Sequence, residues 1–172
     1  QDGRVTGVKV EKDGAIREVP ADAVILATGG FEWDEDLKRA FLRGPMTHPV
    51  SIQTNTGDGL KMAMRIGAKL GNMREAWWMP VHQVPKEIVS TGVTLVAGQR
   101  SLPRSIMVNK KGKRFVNEAA NYNAFGAAFH EQDVSAFDYA NLPCWMIFDK
   151  GYIDTYGFGM MGGPPGEMPP QW

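Results

Sequence analysis

The sequence has a single cysteine, Cys144, and only three histidines among its 172 residues. One cysteine can form no intrachain disulfide and no cysteine-based zinc site, so we expect a reducing, cytoplasmic location. The histidines at 48, 82 and 130 lie far apart and show no ligand spacing, which is typical of structural or surface residues. We therefore expect no metal site.

An excess of charge of one sign is also missing, because 19 basic residues balance 19 acidic ones. A nucleic-acid-binding module normally carries a basic excess, so the balance argues against a nucleic-acid partner. The basic run at 110–114 is isolated and predicts a solvated turn. No apolar run approaches the roughly 20 residues of a membrane span. The hydrophobic content of 43% is nevertheless sufficient for a packed core.

Neither end of the sequence resembles a natural terminus. The first methionine is Met46, and the chain stops at Trp172, in a stretch rich in glycine, proline and methionine at 157–170. We expect the chain to be a piece of a longer protein.

The first part of the chain predicts a β-hairpin followed by a buried strand. Alternating residues at 4–10 and 15–19 flank the turn dipeptide Asp13-Gly14. The apolar run 23–27 then predicts a strand buried on both faces, as in a parallel sheet. Helices are predicted over 31–42 and from Asp58 to about Leu70.

The remainder predicts a mixed fold. Residues 76–81 should be extended, 82–104 a loop, 105–109 and 114–117 two strands around a basic turn, 118–131 a helix and 144–148 a buried strand. The fold class is therefore α/β to α+β. We divide it at residue 90, into an α/β part over 1–90 and a mixed α+β part over 91–172.

Two glycine-containing motifs could bind a ligand. Ala27-Thr28-Gly29-Gly30 follows the predicted buried strand, where open α/β sheets bind cofactors, although glycines at a strand end are also common for structural reasons. The second motif, Gly57-Asp58-Gly59, opens a helix whose free backbone N–H groups suit a polar or anionic ligand. Asp58 could instead simply cap that helix.

Five segments together resemble the flavoprotein family of soluble fumarate reductases, succinate dehydrogenase flavoprotein subunits and 3-ketosteroid dehydrogenases. They span the chain in the family's order: AVILATGGF at 23–31, TGDGL at 56–60, AWWMP at 76–80, RSLPRSIMVNKKGKRFVNE at 100–118 and PCWMIFD at 143–149.

The resemblance implies FAD as the cofactor. It places Ala27, Thr28, Gly29, Gly30 and the Gly57-Asp58-Gly59 segment against the flavin. It further implies that 1–90 is the C-terminal portion of a Rossmann-like FAD-binding domain, and that 91–172 is the N-terminal portion of a substrate-capping domain. The G-x-G-x-x-G fingerprint that seats the pyrophosphate is missing from the sequence, so we expect this piece alone to retain no FAD and to be inactive.

Two departures from the fumarate reductases favour an uncharged substrate. Trp78-Met79-Pro80-Val81 stands where those enzymes have a carboxylate-binding His-Pro-Thr, and Tyr122 stands at the place of their proton-donating arginine. A dicarboxylate pocket needs cations, which these positions lack. The resemblance is then to the 3-ketosteroid dehydrogenase branch, and it implies desaturation of a steroid ketone with hydride transfer to flavin N5 and Tyr122 as the base.

Other interpretations stay open. Tyr122 could be a packing residue in an aromatic helical stripe with Phe125 and Phe129, and the apolar residues Trp77, Trp78, Phe125, Phe129 and Met107 could line a pocket or form plain core. The parent protein could reduce another enone or an α,β-unsaturated acid, or the piece could be a non-catalytic binding fragment. The sequence identifies neither the external electron acceptor nor the oligomeric state.

Overall fold

The computed structural model describes residues 3–157 and residue 165. Chain contacts divide the protein into two compact units. Unit 1 comprises Gln1–Ala40 and Ser51–Asn72, and unit 2 comprises Phe41–Val50 and Met73–Trp172. Apart from residues 157 and 165, the stretch rich in glycine, proline and methionine lies outside the described residues. The domain division at residue 90 stays a prediction.

Unit 1 opens with the predicted hairpin, which is confirmed. β1 (Gly7–Lys12) pairs antiparallel with β2 (Ala15–Pro20). The two turn residues, Asp13 and Gly14, have φ angles of 53° and 76°. Positive φ at both central residues is the signature of the type I′ turn, whose twist matches that of the flanking strands.

The buried strand predicted over 23–27 is wrong for this chain. Residues 23–30 belong to no strand, and Ile25 is 91% exposed. A strand that is apolar on both faces needs neighbouring strands and covering layers, and the described part of the chain supplies neither.

The helices of unit 1 are shorter than predicted. α1 (Glu35–Phe41) starts four residues late because Asp34 caps it, with its Oδ1 accepting from the Leu37 N–H at 2.8 Å. α2 (Asp58–Arg65) stops before the predicted end at Leu70.

The early end of α2 is a Schellman motif. Gly67 has a φ of 82°, its N–H donates to the Met64 carbonyl, and the Ala68 N–H donates to the Ala63 carbonyl. The glycine therefore ends the helix, although apolar residues continue at helical spacing beyond it.

Unit 2 combines small antiparallel sheets with two helices. In chain order its elements are β3 (Val81–Gln83), β4 (Val93–Leu95), β5 (Ser105–Asn109), α3 (Tyr122–Phe129), β6 (Gln132–Asp133), β7 (Asp138–Tyr139), β8 (Cys144–Phe148) and α4 (Lys150–Tyr156). The pairs are β3 with β4, β5 with β8, and β6 with β7. The protein is thus a mixed α/β structure with small sheets. The predicted loop over 82–104 is wrong in part, because it contains β4 and most of β3.

The return strand predicted over 114–117 is also wrong. β5 pairs with β8, and its only bridge to the predicted strand joins Val108 to Arg114. The reason is a side chain: the Met107 N–H donates to Glu118 Oε1 at 2.8 Å, where a strand partner would offer a backbone carbonyl. The basic turn between the two segments is present, with Gly112 donating to the Asn109 carbonyl.

The helix predicted over 118–131 is present but shorter, as α3 (Tyr122–Phe129). Asn121 caps it by accepting from the Ala124 N–H at 2.9 Å.

The hydrophobic core lies in unit 2, where Phe125 and Tyr152 are fully buried. No helix in the described part of the chain is long and apolar enough to cross a membrane.

Candidate functional site

The two glycine motifs, which lie about 30 residues apart in sequence, meet in unit 1. The Gly57 N–H donates to the Gly30 carbonyl at 2.9 Å. A Cβ built on Gly59 would come within 2.2 Å of Thr28 Oγ1. Side chains at these positions would separate the motifs, so the glycines permit their close approach.

The turn after Ala27 rests on a polar cluster. Gly29 has a φ of 78°, and a Cβ there would come within 2.3 Å of Asn55 Oδ1. The Asn55 amide in turn donates to Glu32 Oε1 at 2.8 Å. Burial raises the pKa of Glu32, but hydrogen bonds from Ser51 and Asn55 outweigh it and hold that pKa below its usual value. The Glu32 carboxylate of this cluster is therefore ionised at neutral pH.

The start of α2 has no side-chain cap. Gly57 occupies the N-cap position with a left-handed φ of 76°, and the exposed Asp58 carboxylate accepts instead from Thr56 Oγ1 at 3.3 Å. The capping alternative for Asp58 is thus not seen. Backbone N–H groups at this helix start, together with the exposed backbone of 27–30, fit a polar ligand group.

An ion pair connects the two helices of unit 1. Lys61 Nζ lies 2.6 Å from Asp34 Oδ2. The hydrogen bond from Lys61 lowers the pKa of Asp34, and the Leu37 N–H acts in the same direction. The carboxylate that caps α1 therefore also anchors α2.

Tyr122 lies in unit 2, at the first position of α3, and its side chain is 37% exposed. Its ring centroid is 5.8 Å from that of Trp77, with an interplanar angle of 40°. The rest of the predicted aromatic stripe behaves differently, because Phe125 is fully buried and meets Phe129 edge to face at 5.1 Å. Tyr122 is thus at the solvent edge of the stripe, accessible to a ligand.

A cavity of about 360 Å³ opens in unit 2. Its wall includes two of the predicted pocket residues, Trp78 and Phe129, whereas Phe125 and Met107 are core and Trp77 lies outside the wall. The other lining segments are 45–48, 79–81, 83, 126, 130 and 142–144. No local sequence signal indicates that 45–48 and 142–144 line a cavity, because tertiary packing brings these segments together.

Gly126 determines how closely Trp78 approaches α3. A Cβ at Gly126 would come within 2.6 Å of the Trp78 Cβ. Tyr122, Gly126 and Phe129 follow each other at i, i+4 and i+7, so they share one face of the helix. The face that lines the cavity therefore continues one turn further to Tyr122.

Sequence reasoning missed a buried charged group in unit 2. The Glu118 carboxylate is buried and binds both the Met107 N–H and the Arg114 guanidinium. Burial raises the pKa of Glu118, but these hydrogen bonds outweigh it and keep that pKa below 4.5. The buried Arg100 donates to the Glu118 carbonyl, and its guanidinium carbon lies 4.7 Å from the Phe125 ring centroid. The RFVNE segment gave only a family resemblance and no signal for this contact.

The remaining candidates have structural environments. Burial raises the pKa of Cys144 to about 11, which leaves an unreactive thiol at neutral pH. His130 packs edge to face on Trp78, with ring centroids 4.5 Å apart, and burial lowers its pKa. Among residues 3–157 and 165, no cluster of histidine, cysteine and carboxylate side chains could hold a metal ion.

Comparison with known proteins identifies one family and several relatives. Residues 1–157 match the family described as FAD binding domain. Over 90% of its length the chain is 42% identical to a 4-oxocyclohexanecarboxylate 2-dehydrogenase of Sinomonas cyclohexanicum, of which it covers 27%. Over its whole length it is 35% identical to a 3-oxosteroid 1-dehydrogenase of Mycolicibacterium smegmatis, of which it covers 31%.

A solved structure agrees with these relatives. The 3-ketosteroid delta1-dehydrogenase of Sterolibacterium denitrificans, in complex with 1,4-androstadiene-3,17-dione, matches 92% of this chain with a TM-score of 0.78 and 36% sequence identity. The match covers 28% of that chain. This chain therefore spans less than a third of the length of each of these three relatives.

Proposed function

Because the chain belongs to the FAD binding domain family, we propose that it is part of a flavin-dependent oxidoreductase that desaturates a cyclic ketone, with a 3-ketosteroid as the expected substrate. The observation that carries the proposal is the exposed Tyr122 at the start of α3. Relatives named as dehydrogenases of ring ketones support the reaction class.

FAD would be held in part by the two joined glycine motifs of unit 1. Ala27, Thr28, Gly29 and Gly30 are exposed. The missing side chains of Gly57 and Gly59 let the start of α2 pack closely against this turn. The carboxylate of Asp58 suits a hydroxyl group of the cofactor better than a phosphate, since like charges repel. Because the pyrophosphate fingerprint is missing from these residues, we expect the isolated chain to lose FAD.

The domain assignment follows from the same proposal. Residues 1–90 would be the C-terminal portion of a Rossmann-like FAD-binding domain, and 91–172 the N-terminal portion of the capping domain. The exposed apolar run at 23–27 is what a strand of such a sheet would look like without its neighbours.

Tyr122 would act as the base. Its phenolate oxygen would take the proton from the carbon beside the ketone carbonyl, while the hydride leaves the neighbouring carbon, and a carbon–carbon double bond forms between the two. When bound, FAD would supply the two-electron acceptor.

The direct test is turnover by the full-length protein. A 3-ketosteroid with an artificial electron acceptor should give a product two hydrogens lighter, and 4-oxocyclohexanecarboxylate serves as the single-ring alternative. Activity on fumarate without activity on either ketone would refute the proposal in favour of an enoate reductase. A full-length protein that turns over none of these would leave only a binding role.

The base is tested by Tyr122→Phe, with Tyr139→Phe as the matched control. Loss of general-base catalysis should reduce kcat at least about 100-fold. The control should keep its rate, and both variants should unfold at the same temperature as the unmodified protein. An unchanged rate in Tyr122→Phe would return this residue to a packing role.

A further inference from the structure

Trp77 is the most exposed tryptophan within residues 3–157. It is 76% exposed, although tryptophan is highly buried on average. Its ring also contacts that of Tyr122, which is itself partly exposed. We call these two side chains the aromatic ledge.

The backbone holds Trp77 in this position. The Trp78 N–H donates to the Ala76 carbonyl at 2.9 Å, which closes a tight three-residue turn with Trp77 at its tip. Trp78 itself is buried between Gly126 and His130. The buried tryptophan thus anchors the turn that presents the exposed one.

The ledge combines a large apolar ring with a hydroxyl group. A tryptophan ring offers roughly 150–250 Å² of surface, and it packs on flat ligands with little loss of conformational freedom. The Tyr122 ring lies in contact with it, so a ligand resting on Trp77 has the Tyr122 side chain within its reach. The same α3 face continues to the cavity at Gly126 and Phe129.

We propose that Trp77 is a substrate-positioning residue: it packs on the ring face of the ketone and orients the ring so that Tyr122 reaches the carbon beside the carbonyl. This inference rests on the proposed ketone dehydrogenase function. It assigns to Trp77 a contribution to binding rather than to proton transfer. A flat, uncharged ring system is the ligand class that such a surface favours.

The first test is spectroscopic and needs no turnover. The full-length protein and its Trp77→Phe and Trp145→Phe variants are titrated with 1,4-androstadiene-3,17-dione, a desaturated ring ketone, while tryptophan emission is recorded. Trp145 is a half-exposed tryptophan on β8 and serves as the matched control. We expect the ligand-dependent change in emission to disappear in Trp77→Phe and to persist in Trp145→Phe. Persistence in both variants would overturn the proposal.

The second test separates binding from chemistry. Trp77→Ala should raise KM for the 3-ketosteroid roughly tenfold and change kcat less than about twofold, and Trp77→Phe should restore most of the binding. A fall in kcat with unchanged KM would overturn the proposal. So would a lower unfolding temperature with unchanged KM, because another part of the parent protein would then cover Trp77.

The two tests also distinguish this inference from the proposed function. If the full-length protein desaturates no ketone but its emission still responds to the ligand through Trp77, the proposed function fails and the ligand contact stands. If Tyr122→Phe abolishes turnover and neither Trp77 variant changes KM, the function stands and the role of Trp77 is refuted.

Discussion

Unit 1 and unit 2 are stabilised by different interactions. Every hydrophobic side chain that is buried within residues 3–157 belongs to unit 2, from Trp78 to Ile153. In unit 1 the buried residues are Lys38, Gly57 and Gly59, and large apolar side chains such as Ile16 are exposed. Unit 2 therefore has a core of its own, whereas unit 1 depends on polar contacts and on close backbone approach.

The proposed cofactor-binding residues lie in unit 1, and the proposed base and substrate-positioning residue lie in unit 2, so the two sets are stabilised in different ways. The glycine motifs of unit 1 are joined by the Gly57–Gly30 hydrogen bond and supported by the Asp34–Lys61 ion pair. The ledge of unit 2 is fixed by a buried tryptophan. Substitutions in the glycine motifs should therefore disturb backbone geometry, whereas substitutions near the aromatic ledge should disturb side-chain packing.

The largest effect is expected from Phe125→Ala in unit 2. Phe125 is fully buried, contacts Phe129 and lies beneath the Arg100 guanidinium. Removal of its ring should lower the free energy of unfolding by about 4 kcal/mol. Chemical denaturation measures this loss, and a cost below about 1 kcal/mol would mean that unit 2 lacks a specific core.

Gly57→Ala should be the most damaging change in unit 1. A Cβ there would meet Leu37 Cδ1 at 2.5 Å and Phe31 Cβ at 2.8 Å, on a backbone with a φ of 76°. We expect a loss of about 3 kcal/mol from strain and overpacking, and a lower FAD content of the full-length protein. Gly71→Ala, with no atom within 4 Å, is the matched control and should change neither quantity.

Glu118→Gln tests the buried carboxylate of unit 2. Weakening its charged hydrogen bonds should cost about 2 kcal/mol at neutral pH. Because the folded-state pKa of Glu118 is lowered, its contribution is complete above its ordinary pKa of 4.5 and is lost as the pH falls through the folded value. Denaturation curves of the two proteins should therefore converge in acid. A constant difference would assign the cost to packing instead.

The smallest effect is expected from Ile25→Ser. In the 172-residue chain the exposed Ile25 should contribute less than about 0.5 kcal/mol to stability. In the full-length protein the same change should cost about 2 kcal/mol if the run at 23–27 becomes a buried strand there. Ile16→Ser, on the exposed hairpin, controls for the substitution. An equally small loss in the free energy of unfolding in the 172-residue chain and in the full-length protein would exclude a buried strand at 23–27.

Local signals account for the parts of the fold that sequence reasoning predicted. The hairpin depends on Asp13 and Gly14, whose positive φ angles are a property of the turn itself. The Gly67 that ends α2 was a local signal too, but the apolar spacing up to Leu70 outweighed it in the prediction. Chain-distant contacts account for the failures, since nothing near Met107 in sequence indicates that the Glu118 side chain would replace a strand partner.

The candidate site divides in the same way. The glycine motifs were visible because close approach requires particular residues at particular places, and the structure brings the two motifs together. The identities of Trp78 and Phe129 made a pocket conceivable, but its other walls come from 45–48 and 142–144 through tertiary packing. The sequence did not indicate which of Trp77 and Trp78 is exposed, because exposure is a property of the folded chain.

The tight turn buries Trp78 and exposes Trp77, so mutations at these two adjacent positions should have different effects. If Trp77 positions the substrate as proposed, mutations there should alter substrate binding at little cost to folding, whereas mutations at Trp78 should destabilise the fold because this side chain is buried. A laboratory search for new substrate range should therefore randomise position 77 and leave positions 78 and 126 unchanged.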